Sequence, residues 1–425
     1  MIAGCQKPAP IPQVSVAELR KELPVALRPA RPEPAASENG WTLALPPKGK
    51  RLPKGDWMRL VGTDLIAKAD HAEAHAALQE FEPHLGRLAR ALDRPRWRAP
   101  SQGVEIFNEL ATFKSLAKAL VLRSEMNLED GRPDAAIDDL LLVRTLSDRI
   151  ASAEANVVTY LVAVAIRQIG NRALAEIVWD PRISKATLEH ALKRVPDGAT
   201  TDPGLADSLR GEAATFLDGL AKMHGPVDAD SKGAVDQILK DHPNRLDARA
   251  TVRLYGEGLG DEIANAGRAW KDQRASMRAA DLLRDWPANV DDEASPPSDA
   301  QIRTARRALH GVPNALGRKL VANTLKVYEG LNFASFGVRA SDSAMRLELL
   351  LALQAKGRSK NAGLPRDPFS GGAMKFDLAR NVLWSVGPNG SDDGGSNPPY
   401  VRDQADLVWP IQPKRKLPPQ VRSTP

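Results

Sequence analysis

The densest group of side chains that could do chemistry lies near the C-terminus, in residues 387–409. Several glycines there tolerate the positive backbone angles of an irregular loop. Hard cations such as calcium are held by about six to eight oxygen atoms, partly from backbone carbonyls that irregular loops leave free. On composition alone, a solvated acidic turn explains the segment as well as a calcium site does. The candidate calcium ligands are Asn389, Asp392, Asp393, Asp403 and Asp406.

A turn and a β-hairpin are predicted to position this loop. Residues 367–371 have the sequence DPFSG, and proline disfavours a helical conformation in the residue before it. Residues 374–376 and 382–386 alternate in polarity as strands do, which predicts a hairpin just before the oxygen-rich loop. The side chains predicted to face inward are Phe376, Val382, Trp384 and Val386.

This module resembles the C-terminal half of the major pseudopilins of type II secretion. The resemblance rests on DPFSG at 367–371, LWSVGPNG at 383–390 and DQADLVW at 403–409. In that family the corresponding segments build a calcium-stabilised β-region. The resemblance implies calcium ligation by Asn389 and Asp406, with Asp403 as a neighbouring candidate. Asn389 stands where the family has an aspartate.

The long middle part of the chain shows helical periodicity. Apolar residues recur at three- and four-residue steps in 105–127 and 134–151. Between them Gly131 can supply a left-handed cap, and Pro133 can open the next helix at its first turn. This pair resembles one tetratricopeptide (TPR) hairpin, which needs stacked neighbours to bury its apolar face. No strict 34-residue period recurs, so an irregular arrangement is expected.

The fold class predicted from these patterns is mainly α: an irregular helical bundle or solenoid with a small C-terminal β-hairpin and loop module. The helix at 156–179 is apolar nearly all round and is expected to be the central buried helix. Its charges Arg167 and Glu176 are expected to be paired structurally, with a position facing a cleft as the alternative. The glycine run at 255–260 is predicted to be a flexible joint. Further helices are predicted at 16–23, 60–81, 187–195, 202–223, 261–286, 298–309, 317–328 and 342–356.

The chain divides by composition into five predicted segments. They are a Pro-rich tether (1–56), a TPR-like helical body (57–225), a second helical segment (226–356), a pseudopilin-like β/loop module (357–412) and a basic disordered tail (413–425). In its order of motifs, the stretch 57–409 also resembles a group of bacterial envelope proteins without an assigned activity. The motifs that carry this resemblance lie at 130–131, 138–141, 161–166, 314–318, 345–353, 367–371 and 385–387.

The single cysteine of the chain, Cys5, follows the small residues of Ile2-Ala3-Gly4. A cysteine after small residues, followed by a polar Pro-rich stretch, is typical of the cleavage end of a bacterial lipoprotein signal. Only four residues precede Cys5, so the charged and apolar parts of such a signal are missing from this sequence. We therefore predict lipid modification of Cys5, a membrane anchor through it, and a periplasm-facing location in the bacterial cell envelope. The alternative is a free thiol in a disordered tail.

The charge pattern argues against a nucleic-acid partner. The net charge of +6 is a thin surplus of 59 basic over 53 acidic residues. The basic clusters at 48–51 and 414–416 are not interleaved with aromatic residues. A protein partner is therefore the expectation. No stretch has the ~18 consecutive apolar residues of a membrane span.

No catalytic set stands out among the seven histidines, so the sequence predicts no catalytic residue. His71 and His75 have metal-ligand spacing on a helix, but no third ligand is evident, and a solvated helical face is expected. The leading hypothesis is a non-enzymatic envelope lipoprotein that acts as a helical binding or scaffold protein with a cation-stabilised loop. The alternatives are a periplasmic immunity or inhibitor lipoprotein against a secreted toxin, and a hydrolase with an unrecognised site.

Overall fold

The computed structural model describes residues 14–28, 34–47, 49–53, 71–99, 104–198, 202–222, 246–273, 279–284, 286, 298–309, 311–357, 363–377, 379–396 and 406–411. This part of the chain is mainly α-helical and carries one small antiparallel sheet near the C-terminus. The predicted fold class, mainly α with a small C-terminal β-region, is confirmed. None of the described helices combines the length and apolarity that crossing a membrane requires.

The described helices follow one another along most of the chain, and short 3-10 turns at Val25–Leu27 and Trp270–Asp272 complete them. The α-helices are α1 (Val16–Glu22), α2 (Gly40–Ala44), α3 (His71–Leu92), α4 (Val104–Glu129), α5 (Pro133–Ala151), α6 (Val157–Ile177), α7 (Lys185–Arg194), α8 (Pro203–Lys222), α9 (Ala248–Ala266), α10 (Ala279–Leu282), α11 (Asp299–Leu309) and α12 (Ala315–Ala355).

The chain forms two compact units, and neither is one consecutive segment. One unit comprises residues 1–30, 209–265 and 274–331, and the other comprises 31–208, 266–273 and 332–425. The second unit contains α2 to α7 and the C-terminal sheet. It therefore holds the two histidines of α3 and the candidate calcium ligands, whereas Cys5 belongs to the first unit.

The predicted helical hairpin is confirmed in α4 and α5. Gly131 has a φ of +75°, the left-handed cap that the sequence predicts, and Pro133 is the first residue of α5. Arg132 N donates to Asn127 O at 2.7 Å, which closes the end of α4. The two helices share a large apolar core with α3, α6 and α7. Phe107, one of the apolar residues of the predicted helical stripe in 105–127, is 50% exposed.

The helix predicted to be central, α6, is less buried than its composition suggests. Its residue Leu161 is 42% exposed, so one face meets solvent. Arg167 is paired structurally, as expected, because its Nη1 donates to Asp342 Oδ2 at 2.8 Å and its Nη2 pairs with Asp148. Glu176 accepts from Arg172 Nε at 3.3 Å on the helix surface.

The region predicted to be an extended tether contains buried structure. Trp41 on α2 is fully buried, and its ring lies 4.8 Å from that of Phe113 between centroids. Its Nε1 donates to Glu109 Oε2 at 2.8 Å. Trp41 N in turn donates to Asn39 Oδ1 at 3.1 Å, so Asn39 caps the short helix. An indole that is hydrogen-bonded and packed on aromatic rings anchors this segment to the helical core.

The prediction of a flexible joint at the glycine run 255–260 is wrong, because the run lies inside α9. The glycines there allow close packing. A Cβ atom added at Gly258 would lie 2.7 Å from Leu325 Cδ2, and one added at Gly256 would lie 3.2 Å from Pro24 Cδ. Their missing side chains therefore let neighbouring segments approach the helix axis.

Other helices also begin or end at residues that differ from the predicted ones. The helices predicted at 317–328 and 342–356 are one continuous helix, α12. The helix predicted at 60–81 is found at α3, which continues through Pro83, while residues 54–70 lie outside the described part. The helix predicted at 261–286 is replaced by the end of α9, a 3-10 turn and α10.

The C-terminal sheet has three strands in the order β1 (Lys375–Asp377), β2 (Val382–Ser385) and β3 (Leu407–Pro410). The predicted hairpin is β1 and β2, with Lys375 opposite Trp384. The third strand, which the sequence did not predict, pairs with β2 so that Ser385 lies opposite Leu407. Trp384 and Val386 are buried as predicted, whereas Phe376 and Val382 are half-buried.

Both faces of β2 are covered. Leu383 packs with Leu347, Leu351 and Met374, so one face of the strand lies against α12. Val386, the residue directly after β2, belongs to a second cluster with Phe336, Ala340 and Phe369, and Trp384 within the strand is also buried. A strand buried on two sides is held firmly, and it gives the adjoining loop a fixed base.

Candidate functional site

The base of the C-terminal loop is fixed by Asp367, the first residue of DPFSG. Its side chain is 1% exposed. Oδ1 accepts from Phe369 N at 3.1 Å and from Ser385 Oγ at 2.6 Å, while Oδ2 accepts from Ser370 Oγ at 2.9 Å and from Val386 N at 3.1 Å. A buried carboxylate with this many donors is a satisfied structural group. The motif therefore ties the turn to β2.

Asn389 stabilises a local turn at the tip of the loop. Its Oδ1 accepts from Ser391 N at 3.0 Å, and its Nδ2 donates to Asp393 Oδ2 at 3.0 Å. An asparagine that bonds its own backbone two residues on makes an Asx turn. The amide oxygen of Asn389 is thus engaged by the backbone.

Asp392 is held by the two strands of the hairpin, β1 and β2. Its Oδ1 accepts from Trp384 Nε1 at 2.9 Å and from Gly394 N at 3.1 Å. Its Oδ2 lies 3.6 Å from Lys375 Nζ. The indole hydrogen bond is the main reason why the pKa of Asp392 lies below its ordinary value. Asp392 thus connects the loop to β1 and β2.

Asp406 is the most distinctive of the predicted ligands. It is fully buried, directly before β3, and its Oδ2 accepts from Gly395 N at 2.7 Å. Within the part of the chain that the structure describes, no hydrogen bond of ordinary geometry reaches its Oδ1. Burial is the main cause that raises the pKa of Asp406; the backbone of Gly395 and of Asp393 acts in the opposite direction, and the nearby charges of Asp393 and Asp392 raise the pKa further. A proton or a cation at this carboxylate would relieve the repulsion.

The donor set fits calcium only in part. Asp393 and Asp406 lie near each other, but Asn389 and Asp392 are committed to turn and strand hydrogen bonds. Within the residues that the structure describes, no group of three or more His, Cys, Asp or Glu side chains is placed to hold a metal ion. Two other predicted site residues, Asp403 and Cys5, lie outside the described residues.

The predicted His pair on α3 lies on an accessible face. His75 has a half-exposed side chain, and its Nε2 lies 3.8 Å from Asp130 Oδ1 at the end of α4. This contact joins α3 to the end of α4. The solvated helical face stays a prediction.

A groove of about 500 Å³ lies between α3, α4 and α5. We call it the hairpin groove. Its apolar floor includes Leu78, Met126 and Ala135. The other residues that line it are polar or charged: His75, Gln79, Glu82, Arg123, Asn127, Arg132, Asp138 and Asp139.

One guanidinium organises the centre of the hairpin groove. Arg123 Nη2 donates to Asp139 Oδ1 at 2.6 Å, and Arg123 Nη1 donates to Glu82 Oε1 at 3.2 Å. Asn127 Nδ2 donates to Asp139 Oδ2 at 2.9 Å. Burial opposes the charge of Arg123, but Asp139 and Glu82 outweigh it and raise the pKa of the guanidinium. The groove therefore has a charged and ordered centre.

The rim of the hairpin groove is open to solvent. The side chains of Glu82, Asp138 and Arg132 are 61%, 62% and 57% exposed. His190 on α7 lies beside the rim, with its Nε2 3.2 Å from Asp138 Oδ1. Accessible charges of both signs around an apolar floor can contact a polypeptide segment.

Sequence inspection did not bring Arg123, Glu82 and Asp139 together as one site. Arg123 and Asp139 lie at equal distances in sequence from the turn residue Gly131. In an antiparallel hairpin such positions meet, so their opposite charges were a usable signal. Glu82 could not be found in this way, because its helix is joined to α4 through residues that no local pattern places.

Comparison of the chain with protein-family models, with curated proteins and with solved structures finds no match.

Proposed function

We propose that this protein is a non-enzymatic lipoprotein of the bacterial cell envelope that binds a protein partner through the hairpin groove. The observation that carries the proposal is the groove itself, a depression of about 500 Å³ with an apolar floor and exposed charges on its rim. Stacked helical hairpins create concave surfaces of this kind, and such surfaces commonly bind other chains. The TPR-like character of the body is part of this proposal.

The partner segment would place apolar side chains on Leu78 and Met126. It would place basic side chains beside Asp138 and Glu82, because these two carboxylates are the exposed acidic groups of the rim. The centre of the groove, where Arg123 already bridges two carboxylates, would set the register of the segment. Charge complementarity of this kind gives specificity and speeds association.

Charge reversal on the rim tests the binding proposal. Asp138→Lys and Glu82→Lys change exposed side chains, so the fold should be retained. A matched control is Asp218→Lys on α8, where the side chain is 46% exposed and lies outside the groove. In pull-downs from envelope extracts, the wild type and the control should capture the same protein, and both groove variants should lose it. Equal capture by all four proteins would contradict the groove as the binding site.

The envelope location rests on Cys5 and its flanking residues. Lipidation there would anchor the protein to a membrane that faces the periplasm. Expressed with its natural upstream region, the protein should partition into membranes, and Cys5→Ser should release it into the soluble fraction. If the wild type and the Cys5→Ser variant are both found in the soluble fraction, the lipoprotein proposal is contradicted.

We also propose that a cation, calcium by its chemistry, stabilises the C-terminal loop. Support comes from the buried Asp406 Oδ1, which accepts no hydrogen bond of ordinary geometry from the described residues, and from the neighbouring carboxylate of Asp393. Calcium would supply a positive charge beside these oxygens, and Asp403 would be a further candidate ligand. Asn389 would have to release its hydrogen bond from Ser391 N to join them. Its role would be structural, since the loop carries no recognised catalytic set.

A further inference from the structure

A second depression, apart from the hairpin groove, lies among α5, α6, the start of α8 and the middle of α12. It is a cavity of about 340 Å³, which is within the size range of small-molecule sites. One part of its wall is apolar and is formed by Ala151, Val164, Pro196 and Val338. The rest of the wall is made of charged and hydroxyl side chains, so the cavity offers a ligand both an apolar face and polar atoms.

Arg167, on the α6 side of this cavity, is held by three contacts. Its Nη1 donates to Asp342 Oδ2 at 2.8 Å, and its Nη2 pairs with Asp148. Its Nε donates to Ser147 Oγ at 3.3 Å. Behind the cavity wall, Arg144 has a 4% exposed side chain and donates from Nη1 to Asp342 Oδ1 at 3.0 Å. Two arginines thus meet two carboxylates here.

The third arginine of the cavity, Arg339 on α12, is compensated by Asp202. Arg339 donates from Nε to Gly198 O at 2.9 Å. Burial lowers the pKa of Arg339, and the negative charge of Asp202 acts in the opposite direction. Among the described residues that line or border the cavity, three arginines therefore face three carboxylates. A charged ligand would add a buried charge that nothing here offsets, so a neutral ligand is favoured.

Hydrogen-bond acceptors with remaining capacity lie where α5 ends. Ser152 Oγ donates to a backbone carbonyl of its own helix at 3.3 Å and keeps its own lone pairs. Asp148, one turn earlier, uses Oδ1 for the ion pair with α6, and its side chain is 63% exposed. Asp202 Oδ1 accepts from Gly204 N at 3.0 Å and, as a carboxylate oxygen, has a second lone pair. All three side chains line the cavity.

The missing side chain of Gly204 brings these acceptors together. A Cβ atom added at Gly204 would lie 2.7 Å from Ala151 Cβ and 3.2 Å from Asp202 Oδ1. Ser208 Oγ also donates to Ala151 O at 3.1 Å. The start of α8 therefore approaches the end of α5 closely, and Asp202 Oδ1 lies beside the turn that carries Ser152.

Arg167 supplies hydrogen-bond donors to the same cavity. A guanidinium has five N–H groups, so the three contacts of Arg167 leave N–H groups for an oxygen of a ligand. An ammonium group can only donate, and a carboxylate can only accept. A hydroxyl group does both, and it carries no charge. Hydroxyl groups therefore match the acceptors at the end of α5 and the donors on α6 together.

We propose that this cavity binds a neutral cyclic polyol, such as a monosaccharide or an inositol. Hydroxyl groups of the ligand donate to the acceptors at the end of α5 and accept from Arg167. The apolar C–H face of the ring packs on Val164 and Val338. This division of labour is usual in small-molecule sites, where a few polar groups fix the orientation and apolar side chains cover the rest of the ligand.

Saturation-transfer difference NMR on the full chain tests the proposal. The neutral probes are methyl α-D-glucopyranoside and myo-inositol, and the charged probes are sodium hexanoate and hexylammonium chloride. We expect at least one neutral probe to receive saturation from the protein and neither charged probe to do so. Binding of the glucoside alone indicates a monosaccharide site, binding of myo-inositol alone an inositol site, and binding of both a general site for cyclic polyols.

Two variants and two matched controls locate the binding. Val164→Phe fills the cavity and should abolish binding. Ser152→Ala removes one acceptor and should raise the dissociation constant by about three- to tenfold. The control for the first is Leu161→Phe on the same helix, at a 42% exposed residue outside the cavity. The control for the second is Ser115→Ala on α4, where the hydroxyl likewise donates to its own helix. Both controls should bind as the wild type does.

The proposal is overturned if neither neutral probe binds the wild type, or if a charged probe binds as tightly as the better neutral one. It is equally overturned if Val164→Phe and Ser152→Ala both bind the neutral probe as tightly as the wild type does. Circular dichroism monitors folding, and if Val164→Phe is unfolded, Ser152→Ala and its control decide the question.

Discussion

Glu348 is a carboxyl group buried on α12, where its side chain meets the indole of Trp179. Burial raises the pKa of Glu348 from its ordinary 4.5 to about 7, and the hydrogen bond from Trp179 Nε1 at 2.8 Å works weakly in the opposite direction. Because the folded pKa lies above the unfolded one, the folded protein favours the protonated acid. The free energy of unfolding therefore falls as the pH rises from 4.5 to about 7, and above that range this loss of stability no longer grows.

We predict that Glu348→Gln stabilises the protein at alkaline pH. The amide keeps an acceptor for Trp179 and carries no charge, so the free energy of unfolding at about pH 8 should rise by about 3 kcal/mol. At about pH 5 the gain should be small. Urea unfolding at both pH values measures the difference. Glu82→Gln, at an exposed side chain, is the control, and an equal effect of both variants would contradict the assignment.

Asp406 gives a prediction for the cation. In the wild type, EDTA should lower the melting temperature and calcium should restore it, because a ligand that binds only the folded state stabilises it. At a calcium concentration about a hundredfold above the dissociation constant, the effect is about 2.7 kcal/mol. Asp406→Asn removes the buried charge, so its melting temperature should not respond to EDTA.

If neither EDTA nor calcium changes the melting temperature of the wild type, the metal proposal is wrong. Asp392→Asn is a useful comparison, because the Asp392 carboxylate accepts hydrogen bonds from Trp384 and Gly394. We expect this substitution to lower the melting temperature with or without calcium. A variant that lowers stability in both conditions reports a structural role, whereas loss of the calcium response reports ligation.

Some residue roles were visible in the sequence and others were not. The cap at Gly131 and the turn at Asp367 follow from local chemistry, and the structure confirms both positions. The expectation that Arg167 is paired was correct, but its partner Asp342 lies far away in sequence. No local pattern identifies such a partner, because the contact depends on how α6 packs on α12.

At the scale of elements, glycine produced the clearest error. A spaced run of glycines ordinarily weakens a helix by up to about 1 kcal/mol each, which favours a joint. In α9 the run remains helical because Leu325, Pro24 and other neighbouring side chains pack where the missing Cβ atoms would be. Tertiary packing therefore outweighs the low helix propensity of these glycines.

This packing predicts opposite effects for two helical glycines. Gly258→Ala should destabilise the protein by about 1–3 kcal/mol, since the new methyl group would meet the buried Leu325 at 2.7 Å. Gly219→Ala on α8 has open space around it and should stabilise the protein by about 0.5–1 kcal/mol. Thermal unfolding of both variants checks the signs. Stabilisation by Gly258→Ala would show that the close approach does not constrain α9.

Two further elements show why boundaries were mistaken. The helices predicted at 317–328 and 342–356 left 329–341 unassigned, yet α12 is continuous through this stretch, where the polar Ser335 finds a partner by donating to Asp202. The strand β3 was missed because its pairing partner β2 lies more than twenty residues earlier. In both cases the deciding contacts are not local.

At the scale of the whole molecule, composition and periodicity were sufficient to predict the mainly α fold class. They could not predict the hairpin groove, because its lining comes from three helices and its centre from an Arg123 bridge between two of them. The cavity lined by Arg167 and Arg339 could not be predicted from the sequence either. For Arg167 the sequence offered two alternatives, a structural ion pair or a position facing a cleft. In the structure Arg167 is paired with Asp342 and also lines the cavity.

The measurement that tests the central claim most directly is photo-crosslinking from the hairpin groove in living cells. A photoreactive amino acid replaces Asp138, which is 62% exposed on the groove rim, or Asp218, which is 46% exposed on α8. We predict a crosslinked protein of one defined mass from position 138 and none from position 218. No crosslink from position 138, or the same products from both positions, would contradict partner binding in the groove.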